Sequence, residues 1–491
     1  MPSRLPESSA DVSSTEPNRP SASSFHLWAP PVFFVLFLFA PLPSVPYEVR
    51  GALGLMVWMA WWWITEAVHL AVTGLLPLVV TAIFAIAPMN RVLPSYAAET
   101  IILLLGANIL ASVWTKWGLD RRIALVSLLA VGTGTSGQIL AWFLISAGLS
   151  AILPNTIVAV TMIPIVVTML RFIGIEDLSK SRLGTALVLA VAWGTSAGGA
   201  ASPLGGAPNL LTVSFIQDTV TNQEFLFMTW VTRLLPITLV IVLVMFLFMR
   251  FAMRPEIKTI PGSRDHFRGE LRGLGPMGSA ERWGLALFLG AVFLAFGRAL
   301  FVKAIPGLTP AYGFLAMAML TFLVRPAGKP LMTWPYAQKN MMWGLFYLFA
   351  GGIALGRILD TSGAGQFIAD ALVPYAGAGG FGAVVVFITL TMVLTQISSN
   401  TAAAAIMVPI TISTFQSLGM NPIPYVYLVA VTTNCGFILP SSSGGPAVAA
   451  GYGINLKTMA VKGLQASLLV LTVIILLGYL MVRFWPAFSI A

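Results

Sequence analysis

Leu153-Pro154-Asn155-Thr156, followed by Ile163-Pro164, and Ser398-Ser399-Asn400-Thr401, followed by Val408-Pro409, are two polar interruptions of otherwise apolar sequence. Their Asn and Pro residues recur at one offset, 400 − 155 = 245 and 409 − 164 = 245. Each surrounding stretch, 136–173 and 380–416, reads as a re-entrant helical hairpin with the Asn-Thr pair at its tip. Irregular backbone at bilayer depth is tolerated only where protein or a water-filled cavity satisfies its polar groups. A duplicated break of this kind is how two-repeat secondary transporters build a solute site at the repeat junction.

The rest of the chain supports a membrane setting. Of its 491 residues 57% are hydrophobic and 9% charged, against about a quarter charged in soluble domains. So much apolar surface cannot all be buried in a water-soluble core. The single cysteine, Cys435, excludes an intrachain disulfide and a thiolate metal cluster, and reads as a small buried residue. His26, His69 and His266 are scattered, without a metal-binding spacing. The net charge of +10 is distributed as a topology signal and not as a nucleic-acid surface. Residues 1–24, rich in Ser, Pro and Glu, read as a disordered cytoplasmic tail.

Apolar segments of roughly 17–25 residues mark spanning helices. They fall at about 28–46, 51–67, 69–88, 98–116, 185–218 (broken), 231–251, 283–304, 309–325, 341–359, 424–454 (broken) and 461–484. With the N-terminus in the cytoplasm, every Lys and Arg except Arg50, Arg91, Arg233, Arg298, Lys303, Arg357 and Arg483 falls on the cytoplasmic side, the positive-inside pattern. The expected fold is therefore an all-α membrane protein of about eleven transmembrane helices plus two re-entrant hairpins, in a bacterial inner membrane. The odd number of spans between the hairpins opens them to opposite faces, as in inverted-topology repeats. The first half runs over 25–251 and the second over 283–491. Residues 252–282 form a polar cytoplasmic linker, with room for a surface helix.

The repetition extends beyond the tips. Leu103-Leu104-Leu105-Gly106-Ala107 precedes the first hairpin and Leu348-Phe349-Ala350-Gly351-Gly352 the second. Short amphipathic stretches follow each, near 118–130 and 362–373. A Gly/Pro-rich break then follows each hairpin, Gly198 to Asn209 and Pro440 to Pro446.

These motifs resemble the divalent anion–sodium symporters, the INDY-type sodium/dicarboxylate-sulfate transporters, over nearly the whole chain after the tail. Trp61-Trp62-Trp63-Ile64-Thr65-Glu66-Ala67 and Thr73-Gly74-Leu75-Leu76-Pro77 look like that family's early helix signature. Ser399-Asn400-Thr401 matches its Ser-Asn-Thr tip, and Asn155-Thr156 the first-repeat partner in two of three places. Gly205-Gly206-Ala207-Pro208-Asn209 is similar to its Thr-Pro-Pro-Asn break. The resemblance implies a homodimer with an elevator-type transport half, and two sodium sites flanking one anion site. Carried over by position, it implies anion contacts at Asn155, Thr156, Gly206, Ser399, Asn400, Thr401 and Ser443. It implies one cation site at Ser150, Asn155 and Gly205, and a second at Thr395, Ser399, Asn400 and Ser442.

The residue chemistry agrees with that expectation. No Lys or Arg lies at any of the four breaks, so an anion must be held by helix N-termini, amides and hydroxyls. Three positions depart from the family pattern: Pro154 for a serine, Gly206 for Ser or Thr, and Pro446 for Asn. They predict a first half-site poorer in donors, with a changed substrate, a weaker or absent first sodium site, or both. The leading expectation is a sodium-coupled carrier of a C4-dicarboxylate such as succinate, malate or fumarate, with sulfate or another small anion next. A sodium-independent exchanger or proton-coupled carrier keeps the same fold. An anion channel lacks its usual charge rings, and an enzyme lacks a nucleophile–base pair at the breaks. Glu66 reads as an interfacial cap or ion-pair partner, the Trp run as an interfacial anchor, and Arg357 and Asp360 as a pair on one helix face.

Overall fold

Helix Thr135–Ser150 cannot run on through Leu153-Pro154, because a proline lacks the N–H and disfavours helical backbone before it. The chain turns there and restarts as Asn155–Phe172, with Pro154 (φ −54°, ψ 134°) in the capping position. The second hairpin turns differently. Helix Phe381–Ile397 ends at an extended Ser398, and the Ser399 hydroxyl accepts from Ala402 N at 3.1 Å to start Asn400–Ser417. The computed structural model describes residues 24–129, 134–253, 255–257, 259–260, 263–376 and 380–490. The expected disordered tail lies outside them, apart from Ser24.

The described residues are helical, with one lone bridge between Gly134 and Thr259 in place of any sheet. Among them, six helices are long and apolar enough to cross a membrane: Met89–Trp117, Asn155–Phe172, Phe227–Ala252, Ser279–Phe296, Trp343–Thr361 and Leu456–Phe484. Among the shorter apolar helices, Phe381–Ile397 ends at a hairpin tip and Ile423–Thr433 at a break. The span expected at 28–46 is helix Ser24–Leu38, cut short before Pro41-Leu42-Pro43. Both expected broken helices are present, as Arg182–Gly199 with Ala207–Phe215 and as Ile423–Thr433 with Gly444–Gly451. The amphipathic stretches are helices Leu119–Leu129 and Ala364–Ala376, and the linker carries the helix Ser263–Gly273.

The two halves interlock. Helix Leu70–Phe84 packs on Trp343–Thr361, and Pro310–Leu323 packs on Glu99–Trp117, so each pair joins a helix of one half to a helix of the other. Glycines make this contact possible. A Cβ on Gly351 would lie 2.5 Å from Gly74 Cα, and one on Gly106 would lie 2.7 Å from Leu315 N. Gly106 and Gly351 are again 245 apart (351 − 106), and each is a point of backbone-to-backbone packing. The hairpins exchange partners in the same way. Arm Asn155–Phe172 packs on Gly444–Gly451, and arm Asn400–Ser417 on Ala207–Phe215. This crossed packing brings both tips and both breaks to one place.

Candidate functional site

The tips and breaks line a cavity of about 700 Å³. Its lining includes Asn155, Thr156, Gly206, Ser399, Asn400, Thr401 and Ser443, every position expected to meet the anion. Helices Asn155–Phe172, Ala207–Phe215, Asn400–Ser417 and Gly444–Gly451 all begin at the cavity wall. Each N-terminus carries roughly half a positive elementary charge in unpaired N–H groups. Glu66, Leu70, Met342, Leu345 and Leu348 complete the lining. Among the described lining residues there is no Lys, Arg or His, and Glu66 is the one ionisable side chain.

Behind each tip, oxygens crowd together. At the second, the buried Thr395 hydroxyl lies 2.8 Å from Asn400 Oδ1 and 2.8 Å from Thr433 O, with one proton for two acceptors. Ser442 converges on the same point, since a Cβ on Gly436 would lie 2.6 Å from Asn400 Oδ1 and 2.9 Å from Ser442 Oγ. The Asn400 carboxamide nitrogen is buried without a partner. At the first tip, Asn155 Oδ1 accepts from the Ser150 hydroxyl, with the carbonyls of Thr195 and Gly205 crowding it. If the amide turns, its nitrogen donates to Thr195 O at 3.1 Å and Gly205 O at 2.6 Å. The first pocket thus satisfies an amide nitrogen, or holds four oxygens that only a cation can reconcile. Ser150, Gly205 and Thr395 stand behind the cavity wall, and Asn155, Ser399, Asn400 and Ser442 on it. Ser399 spends its oxygen on the cap of its own helix.

Several residues that hold the site carry no simple repeat signal. Gly199 is one: a Cβ there would lie 2.6 Å from Asn155 Oδ1, the same distance Gly436 keeps from Asn400. These glycines are 237 apart (436 − 199), as are Gly205 and Ser442, so the breaks follow a second offset. Asn209 Nδ2 stitches the first break by donating to Gly199 O at 2.7 Å and Ser202 O at 2.8 Å. Pro446 cannot do this for the second break. Gln396 does it from the hairpin, donating to Cys435 O at 2.7 Å and accepting from Phe437 N at 2.9 Å and Ile438 N at 3.1 Å.

Two sequence expectations are corrected here. Arg357 does not pair with Asp360; its guanidinium lies 3.8 Å from Asp218, at the end of the first broken helix. Trp63 is no interfacial anchor; it is fully buried, with Nε1 3.4 Å from Leu70 O. Glu66 lies at the C-terminal end of Tyr47–Thr65 with φ +48° and is part of the cavity wall. Cys435 is buried as expected.

Comparison with known proteins follows the same lines. A family model described as the sodium:sulfate symporter transmembrane region matches residues 21–489. The chain is 31% identical over 469 residues to a sodium-dependent dicarboxylate transporter, SdcS, of Staphylococcus saprophyticus, covering 92% of this chain and 90% of that one. A Staphylococcus aureus SdcS is 29% identical over 467 residues, covering 92% and 89%. Among solved structures, the Alcanivorax borkumensis YdaH transporter matches at TM-score 0.57 and 14% identity, over 90% of this chain and 100% of that one. Neisseria gonorrhoeae MtrF, described as illuminating a class of antimetabolite efflux pumps, matches at TM-score 0.55 and 15% identity, over 91% and 97%. At such identities these two structures speak to the fold alone.

Proposed function

Because the chain belongs to the sodium:sulfate symporter family, integral membrane transporters and not enzymes, we propose that it carries a small dianion in symport with sodium, as a homodimer with an elevator-type cycle. C4-dicarboxylates such as succinate, malate or fumarate are the favoured substrates, since the SdcS relatives are named dicarboxylate transporters, with sulfate second after the family's description. The observation that carries this reading is the convergence of four helix N-termini on one cavity without a basic side chain. Four half-charges amount to roughly two positive charges, the complement of a dianion. The unpartnered Asn400 amide nitrogen and the hydroxyls of Thr156, Thr401 and Ser443 supply directional donors.

Sodium is the coupling ion in this reading, and the two oxygen clusters support it. The second site comprises Thr395, Asn400, Thr433 O and Ser442, and the first Ser150, Asn155, Thr195 O and Gly205 O. Pro154 removes a hydroxyl and an N–H on the anion side of the first tip, but none of the four oxygens behind it. A dianion buried among neutral dipoles is costly. Cations beside it lower that cost, and the anion in turn lowers theirs, so loading of both favours movement. In the elevator reading the hairpins, broken helices, Phe227–Ala252 and Leu456–Phe484 move as a unit. The interlocked helices form the static frame, and the N-terminus lies in the cytoplasm.

Uptake of labelled succinate into proteoliposomes under an inward sodium gradient, against the same with choline, tests this. Sodium-driven accumulation that sulfate and fumarate compete with is expected. Equal uptake in both salts would leave an exchanger or a proton-coupled carrier.

A further inference from the structure

A second cavity, about 860 Å³, lies at the expected cytoplasmic ends of three helices. It lies where Phe227–Ala252 finishes and where Arg182–Gly199 and Leu456–Phe484 begin. Lys180, Arg182 and Lys462 line it. The walls are tied together: Asn455 donates from Nδ2 to Ser179 O at 3.2 Å, and its N–H lies 3.3 Å from Thr185 Oγ1. The nearby carboxylates are already engaged. Asp177 pairs with Lys180 at 3.1 Å and accepts from Ser179 Oγ at 2.6 Å. Glu256 accepts from Ser181 Oγ at 2.9 Å and Leu183 N at 3.1 Å, so it already caps helix Arg182–Gly199. No carboxylate among the described residues pairs with Arg182, and Lys462 reaches only Gln465 Oε1 at 3.2 Å. The pocket therefore offers two uncommitted cations and a third shared one.

We propose that this pocket binds the anionic phosphate of an acidic membrane phospholipid. The phosphate sits between Arg182, Lys462 and Lys180, and the hydroxyl of Thr458 supplies a neutral donor. A free phosphate compound would offer the same headgroup chemistry, but the surroundings favour a lipid. Phe251, on the pocket wall, continues a line of exposed apolar side chains through Leu247 and Leu243, one helical turn apart. Leu469 and Leu476 follow Lys462 at seven-residue spacing on the neighbouring helix, also exposed. The two helices pack against each other, so their apolar flank leads from the phosphate position along the direction acyl chains take. The site lies away from the dianion cavity and does not depend on what that cavity carries.

Native mass spectrometry of the full chain, titrated with phosphatidylglycerol, phosphatidylcholine, glycerol 3-phosphate or inorganic phosphate, tests the assignment alongside thermal unfolding of the same samples. The expected result is retention of phosphatidylglycerol and a rise in Tm that phosphatidylcholine does not give. The Arg182→Gln/Lys462→Gln variant should bind it at least fivefold more weakly while keeping the Tm of the lipid-free protein. Equal retention of the two lipids, or undiminished phosphatidylglycerol binding by the variant, would overturn the proposal. A Tm rise reproduced by glycerol 3-phosphate or inorganic phosphate would overturn the lipid assignment in favour of a soluble ligand. Should the variant fail to fold, Lys462→Gln alone, in the second turn of Leu456–Phe484 and only partly buried, carries the same comparison.

Discussion

Asn434 Nδ2 donates to Asn209 Oδ1 at 2.7 Å, and this one bond joins the breaks of two helices that lie 225 residues apart in the chain. Both side chains are fully buried, and Asn434 also donates to Ala430 O at 2.9 Å. The two breaks are thereby held in fixed register around the cavity. Asn434→Ala strips Asn209 Oδ1 of its donor in a buried setting, which costs about 1–3 kcal/mol. A lower Tm and reduced uptake are expected together, read by thermal unfolding and proteoliposome transport. An unchanged Tm would mean the register is held elsewhere.

Asn400→Ala removes an oxygen from the second cluster and the buried, unpartnered nitrogen at the second tip. Hydrogen bonds to charged groups contribute about 1.5–3 kcal/mol, so the dianion should bind roughly 10- to 150-fold more weakly. Uptake is expected to vanish at ordinary substrate concentrations although the protein still folds. Succinate-dependent thermal stabilisation measures the loss of binding separately from the loss of turnover.

Thr395→Val keeps shape and removes a hydroxyl oxygen from the second cluster. The sodium concentration giving half-maximal uptake should rise about tenfold, equivalent to about 1.4 kcal/mol, with less effect on succinate at saturating sodium. Pro154→Ser adds a hydroxyl at the other tip. It should shift substrate preference or strengthen sodium dependence, and competition between succinate and sulfate separates the two outcomes.

Arg298 is 1% exposed and holds Glu224 with two bonds, 2.7 and 3.0 Å, while donating to Ile305 O at 2.9 Å and Pro306 O at 2.5 Å. Glu224→Ala leaves that guanidinium buried and unpaired, a loss of about 3–5 kcal/mol. The variant should unfold at markedly lower temperature, and Glu224→Ala/Arg298→Met should recover part of the loss. Equal Tm values for the single and double variants would show that the carbonyl contacts alone hold Arg298.

The hairpin tips could be read in the sequence because a polar pair inside apolar sequence has few structural explanations, and its recurrence at one offset leaves fewer. The convergence of Asn155, Asn400 and Ser443 on one cavity followed from that repetition. Gln396 is not legible, because the position 245 residues earlier is Ala151 and its partners are main-chain atoms of residues 435–438. Asn434 is not legible either, because Leu189 stands 245 residues earlier and its partner Asn209 lies 225 residues away in the chain, nor are Gly199 and Gly436, which follow the 237 offset and not the 245. Arg357 was assigned to Asp360 on helical spacing, whereas its partner Asp218 is brought close only by tertiary packing. Glu66 reads in the sequence as a cap at a span end, and it does follow Tyr47–Thr65 as its C-cap; its place on the cavity wall depends on tertiary packing and carries no sequence signal.

The exchanged pairing of Leu70–Phe84 with Trp343–Thr361, and of Pro310–Leu323 with Glu99–Trp117, bears on how the protein is made. An emerging N-terminal half meets the bilayer with two glycine-notched helix faces that have nothing to fill them until the ribosome has delivered residues beyond 361. Synthesis stopped in the 252–282 linker should yield a fragment prone to quality-control proteolysis. The same fragment should be rescued when residues 253–491 are supplied as a separate polypeptide in the same cell.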